Sequence, residues 1–207
     1  MHLSVLGMSG VGKSHWAKQL AQAGWLHLDC DCVIAERLGE LIDVADDEDP
    51  VHAVGRWMGM PWTPGYAERE EKYLELERDV TEEAIDAATA QPEGTNVVLD
   101  TTGSVIYTGD AILHRLRTET RIVYFDAPPE VRESMVELYL REPKPVLWQG
   151  GYEPKPSESQ DAALARCYSE LLADRQERYM ALMERTISYQ TLRGLGRGAE
   201  KFLSQIS

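Results

Sequence analysis

Gly7-Met8-Ser9-Gly10-Val11-Gly12-Lys13-Ser14 is the stretch from which this chain is read. It fits G-x-x-x-x-G-K-[ST], in which small residues let consecutive backbone N–H groups turn inward around an anion. A helix starting there adds its positive end. In this pattern Gly7 to Ser14 cradle a nucleotide, Lys13 reaches its outer phosphates and the Ser14 hydroxyl ligates Mg²⁺. The flanks give the context the pattern requires. His2 to Leu6 reads as a short buried strand, and Lys13 to Ala23 as a helix with Trp16, Ala17, Leu20 and Ala21 inward. A glycine-rich turn without a ligand is the plainer alternative.

Outward from this loop, strand-like and helix-like segments alternate. Leu26 to Asp29, Thr95 to Asp100 and Arg121 to Asp126 read as strands, with Thr186 to Thr191 a weaker fifth. The third and fourth are near-continuous apolar runs, as strands buried on both faces are. Helical stretches run over Glu68 to Ala90, from the opening Pro128-Pro129 through Leu140, over Ser159 to Arg185 and over Gly198 to Ile206. The alternation predicts a parallel sheet covered on both faces, with ligands beyond the carboxyl ends of its strands. Two segments interrupt it. Asp43 to Gly65 begins acidic and carries Trp57 and Trp62, while Glu142 to Gln160 is rich in Pro and Gly and carries Trp148 and Tyr152. Both read as loops over the site, their tryptophans either touching ligand or packing the excursions.

The 207 residues suffice for one domain spanning 1–207. A net charge of −14 disfavours a nucleic-acid or anionic-membrane partner. No apolar run approaches the ~20 residues of a membrane span. The chain runs directly into its first strand, so no signal peptide is expected. Cys30, Cys32 and Cys167, an odd and sparse set, suit a reducing cytoplasm, and Cys30 and Cys32 read as packed thiols rather than metal ligands. The expected partners are a nucleotide and a small molecule, with the chain a monomer or a homodimer.

Several further residues are placed to carry chemistry. Asp29 and Asp31 close the second strand, and two apart in an extended segment their side chains share one face. One carboxylate would hold water on Mg²⁺ while Asp31 accepts from a hydroxyl substrate as its base; the bland alternative makes Asp31 a helix cap. Asp100-Thr101-Thr102-Gly103 follows the third strand. Asp100 has the position of an acid assisting Mg²⁺, and Thr101, Thr102 and Gly103 would face the substrate. Arg175 falls on the helical stripe Leu164, Tyr168, Leu171, Tyr179, Leu182, where a buried cation needs either an anionic ligand or an internal acid. Arg141 and Lys144 begin the second excursion, where a cation could swing over a transferring phosphoryl group or simply lie on the surface.

Together these residues resemble the shikimate kinase family of small-molecule kinases. Gly7 to Ser14 looks like that family's phosphate loop, Leu28-Asp29-Cys30-Asp31 like its D-x-D, Lys144-Pro145-Val146-Leu147 like its basic lid, and Leu172-Ala173-Asp174-Arg175 before Tyr179 like its carboxylate-gripping helix. The resemblance implies a P-loop NTPase of three α/β/α layers, nucleoside-monophosphate-kinase-like, with a five-stranded parallel sheet, a substrate-binding insertion over 32–92 and a lid over 141–160. It implies ATP- and Mg²⁺-dependent phosphoryl transfer to a hydroxyl of a small anionic metabolite. Two departures argue against shikimate itself. Thr101-Thr102-Gly103 stands where the family has three glycines. Tyr73-Leu74-Glu75-Leu76-Glu77 lacks the family's substrate arginine, for which Arg69 and Arg78 are the nearest substitutes. Gluconate kinases, which Met58-Gly59-Met60-Pro61 resembles, and dephospho-coenzyme A kinases share the early pattern. A nucleotide-binding switch or regulatory NTPase is the other class, motivated by D-x-x-G at Asp100 to Gly103 and weakened because the sole asparagine, Asn96, precedes Val97 rather than lysine.

Overall fold

The computed structural model describes residues 1–46, 48–141, 145–196 and 198–206, without the side chain of Leu140. β1 (His2–Leu6) runs into the glycine-rich loop, and α1 (Lys13–Gln22) starts at its lysine. β2 (Leu26–Asp29) passes straight into α2 (Cys30–Leu38), followed by α3 (Pro50–Met58) and the long α4 (Tyr66–Thr89). β3 (Val97–Asp100), α5 (Asp110–Glu119), β4 (Arg121–Asp126) and α6 (Pro129–Arg141) form the next repeat. α7 (Gln160–Leu182), β5 (Arg185–Ser188), α8 (Tyr189–Gly194) and α9 (Ala199–Ile206) complete it.

The five strands form one sheet, ordered β2-β3-β1-β4-β5, with every pairing parallel. This is the expected three-layer architecture. Val97, Val98 and Leu99, like Ile122 to Phe125, are fully buried because helices cover both faces of the sheet. Trp16 of α1 stacks on Phe202 of α9 at 5.2 Å between ring centroids, closing one face. Register pairs Asp29 with Asp100, so both acids stand at one sheet edge beside the glycine-rich loop. Among the described residues no helix is long and apolar enough to cross a membrane.

Three expectations change. The acidic excursion contains a helix, α3, whose start Asp49-Pro50 is a cap followed by a proline: Asp49 accepts from the Val51 amide at 3.0 Å. The extended segment thought to carry Asp29 and Asp31 ends at Asp29. That residue, rather than Asp31, is the helix cap, and its carboxylate accepts from Cys32 N at 3.0 Å. The fifth strand stops at Ser188, whose hydroxyl caps α8 on Thr191 N at 3.2 Å.

Gly7 sits where the loop passes under β4. Its φ is +151°, and a Cβ there would lie 2.9 Å from the Phe125 carbonyl oxygen. Gly7→Ala should therefore cost about 1–3 kcal/mol, read as a lower urea midpoint. An unchanged midpoint would show that β4 does not pin the loop.

Candidate active site

The carboxyl edge of the sheet opens into a cavity of about 200 Å³. Its floor is Ser9, Gly10 and Lys13 of the glycine-rich loop. The Lys13 ammonium is buried across that loop and donates to the carbonyls of Gly7 at 3.0 Å and Met8 at 3.3 Å. Asp31, in the first turn of α2, faces the same space, with the Tyr73 hydroxyl 3.5 Å from its Oδ1. Burial in the cavity wall raises the Asp31 carboxyl to about 6 against an opposing pull from Lys13, and the nearby Asp100 and Asp29 add to the rise. Arg141 is exposed at the end of α6, away from the cavity lining, and Lys144 lies outside the described residues.

The turn after β3 is built differently from the expectation that its hydroxyls face a substrate. Thr101 is fully buried and donates to the Val5 carbonyl at 2.8 Å, tying β3 to β1. Thr102 is buried too, and its hydroxyl donates to Glu77. Ser104 donates to the same Glu77 oxygen at 2.6 Å and lines the cavity. Gly103 packs so closely on the glycine-rich loop that a Cβ would lie 3.3 Å from Ser9 N. Its carbonyl accepts from Tyr179 and, at 3.2 Å, from Arg175 Nη1.

Arg175 is 5% exposed and lies across the back of the cavity. Its Nη2 donates to the Leu147 carbonyl at 2.9 Å, its face lies 5.4 Å from the Tyr107 ring centroid, and its Nε has no partner. Among the described residues no carboxylate forms an ion pair with it. Each Nη of the guanidinium thus makes one bond to backbone. Arg69 and Arg78, the nearest substitutes for the missing arginine, are engaged elsewhere, on Met58 and Pro64 carbonyls and on the Thr108 carbonyl.

Glu77 is the residue sequence reasoning missed. It is 0% exposed behind the cavity, and its Oε2 has no partner. Burial pushes its carboxyl up to about 7, with the Ser104 and Thr102 hydroxyls and the Arg175 charge pulling the other way and Asp31 adding to the rise. The signal was available: Glu77 falls on the buried stripe of α4 with Tyr73, Val80 and Ala84.

For a divalent cation, the edge offers Ser14, half-buried at the start of α1, with Asp29 and Asp100. Donor atoms of Asp29, Asp100 and His27 lie within 4.8 Å of one another. Asp100 is buried with Oδ1 unpartnered, an arrangement that a cation or its water would complete. The oxygen donors fit Mg²⁺, although Asp29 divides its acceptor capacity with the Cys32 amide and thiol.

The AAA domain family matches residues 3–138, from the first strand into α6. The chain belongs to the AAA domain family. Its fold is similar to that of a shikimate kinase from Acinetobacter baumannii in complex with shikimate, at 21% identity and TM-score 0.57, covering 99% of this chain and 89% of that one. The shikimate kinase from Bacteroides thetaiotaomicron is 17% identical, with TM-score 0.55 and coverages of 91% and 86%. That from Aquifex aeolicus is 16% identical, with TM-score 0.53 and coverages of 100% and 94%. No curated protein matches the chain. The AAA domain is here a shikimate-kinase-like P-loop fold. In it the loop and cavity occupy the strand edge where ligands of such sheets bind.

The raised Glu77 carboxyl has a measurable consequence. Its ordinary value is 4.5 and its folded value about 7, so the folded state holds the proton more tightly. That contribution favours folding at low pH and is lost as pH rises through this window. Glu77→Gln should therefore gain in melting temperature relative to the wild type between pH 5 and pH 8, as read by thermal melts. A constant difference across that range would contradict the buried, neutral-leaning carboxyl.

Proposed function

We propose that this protein is an ATP- and Mg²⁺-dependent kinase that phosphorylates a hydroxyl group of a small molecule. The single observation behind this reading is the convergence of Lys13 and Asp31 on one cavity floored by the glycine-rich loop. The loop amides from Met8 to Lys13 bind the β- and γ-phosphates, and Lys13 transfers its ammonium from the Gly7 and Met8 carbonyls to phosphate oxygens. A groove along the outer edge of the loop, lined by Gly12, His15, Tyr189 and Arg193, takes the nucleoside. Ser14, Asp29 and Asp100 would hold Mg²⁺, which when bound would neutralise charge on the phosphates.

Asp31 orients the acceptor hydroxyl toward the γ-phosphorus and takes its proton. With its carboxyl at about 6, it is ionised at neutral pH and still basic enough to share a proton in the transition state. Tyr73 steadies it from the side. Arg141 and Lys144 are the cations available to close over the phosphates from the segment after α6. The segment from α2 through α4 supplies the acceptor wall, with Val51 and Tyr73 on the cavity. The reading keeps the protein within the P-loop small-molecule kinases and leaves a switch-type NTPase without support from the cavity, which extends well past the loop.

Coupled ADP release over an alcohol panel tests this. Acceptor-stimulated turnover should fall roughly 100-fold in Asp31→Asn with the ATP KM little changed. In the wild type kcat/KM should rise with pH through about 6 and then level, as Asp31 loses its proton. Hydrolysis unaffected by every alcohol, or by Asp31→Asn, would contradict the kinase reading.

A further inference from the structure

One wall of the cavity, built from α6 and α7, is apolar among the described residues. Val131, Met135, Leu138 and Tyr139 lie on one stripe of α6 and line the cavity, with Tyr139 also part of the core. Val146, beyond α6, and Tyr168 and Leu172 of α7 continue the same surface. Leu138 is 45% exposed at the cavity's edge, one of the few large apolar side chains left in water. At roughly 25 cal/mol per Å², such surface favours an apolar occupant.

The polar groups at this end are already committed in part. Arg175 spends one N–H of each Nη on the carbonyls of Gly103 and Leu147, and its Nε is buried. Arg175 is thereby shared with two backbone carbonyls and keeps only one further N–H on each Nη for a ligand. Neutral hydroxyls, among them those of Ser104, Ser134, Tyr73 and Tyr168, also line the cavity, with the Asp31 carboxylate. An anionic acceptor would meet that carboxylate, with an arginine already shared between two carbonyls as the cation at this end.

We propose that the acceptor is a neutral alcohol with an apolar or aromatic body: its hydroxyl at Asp31, its body on the α6 stripe between Met135, Leu138 and Tyr168. The proposal rests on the kinase reading for what happens to the hydroxyl, and on the cavity wall alone for which molecule enters. It replaces the anionic acceptor expected from Arg175, which instead braces the turn after β3 against the segment that follows α6.

Calorimetric titration in the presence of Mg²⁺ and a non-hydrolysable ATP analogue separates the two. The probes are 1-phenyl-1,2-ethanediol, a neutral diol on an aromatic ring, and gluconate and shikimate, anionic polyols of similar size. The diol should bind more tightly than either acid. Leu138→Glu, at an exposed position that folding tolerates, should weaken the diol roughly tenfold while nucleotide affinity stays unchanged. Tighter binding of either acid, binding of no probe, or indifference of the diol to Leu138→Glu overturns the proposal. Phosphorylation is scored in parallel with labelled ATP. A diol that binds as expected and is not phosphorylated upholds the acceptor class and counts against the kinase; phosphorylated gluconate or shikimate upholds the kinase and overturns the acceptor class.

Discussion

The Gly103 carbonyl is the contact on which the site's construction depends. Two side chains of α7, Arg175 and Tyr179, donate to it, while the Gly103 backbone presses on Ser9 N of the phosphate loop. Through Arg175 the same contact reaches Leu147, beyond α6. One peptide unit thereby fixes the relative positions of the loop, the turn after β3, the long helix and the segment over the cavity. A guanidinium held on carbonyls and against the Tyr107 ring keeps its charge in the interior, and that charge pulls against the rise of the Glu77 carboxyl.

A second buried system works beside it. Glu70 of α4 accepts from the amides of Trp148 and Gln149, and the Tyr66 hydroxyl lies between Glu70 and the Val146 carbonyl, its one hydrogen shared by those two acceptors. Gln149, at φ +49°, is the one non-glycine residue among those described in the left-handed region. The segment after α6 is therefore latched on both sides, by α4 and by α7. Trp148 belongs to this latch, buried among Tyr139, Tyr152 and Tyr168. Trp62 meets Tyr152 in a tilted contact, 5.3 Å between ring centroids. The tryptophans of the two excursions thus pack them together; none of them lines the cavity.

The sequence carried the sheet because its strands are short apolar runs separated by helical spacing, and it carried the phosphate loop because the glycines and lysine are fixed by backbone geometry. It carried less of the acceptor side. The α3 helix was hidden by an acidic lead-in, although Asp49-Pro50 announced it. Asp29 and Asp31 were read as one extended pair because nothing in the letters shows that the strand gives way to a helix between them. Thr101 and Thr102 have the composition of a ligand-facing turn, yet their hydroxyls satisfy Val5 and Glu77, partners 96 and 25 residues away. Arg175 was found by its stripe, but which oxygens it would meet depends on Gly103 and Leu147, brought to it only by the tertiary fold. Glu77 followed the same logic as Arg175, a charge on an apolar stripe, and was passed over because its helix was read for what was missing.

The central claim is that the cavity floored by the phosphate loop transfers a phosphoryl group to an alcohol. Phosphorus-31 NMR of the protein with ATP, Mg²⁺ and an alcohol bound in the cavity tests it most directly. The account predicts a phosphomonoester resonance growing in step with ADP and absent when Lys13 is replaced by Ala. ADP accompanied only by inorganic phosphate, at a rate the alcohol does not change, would contradict it.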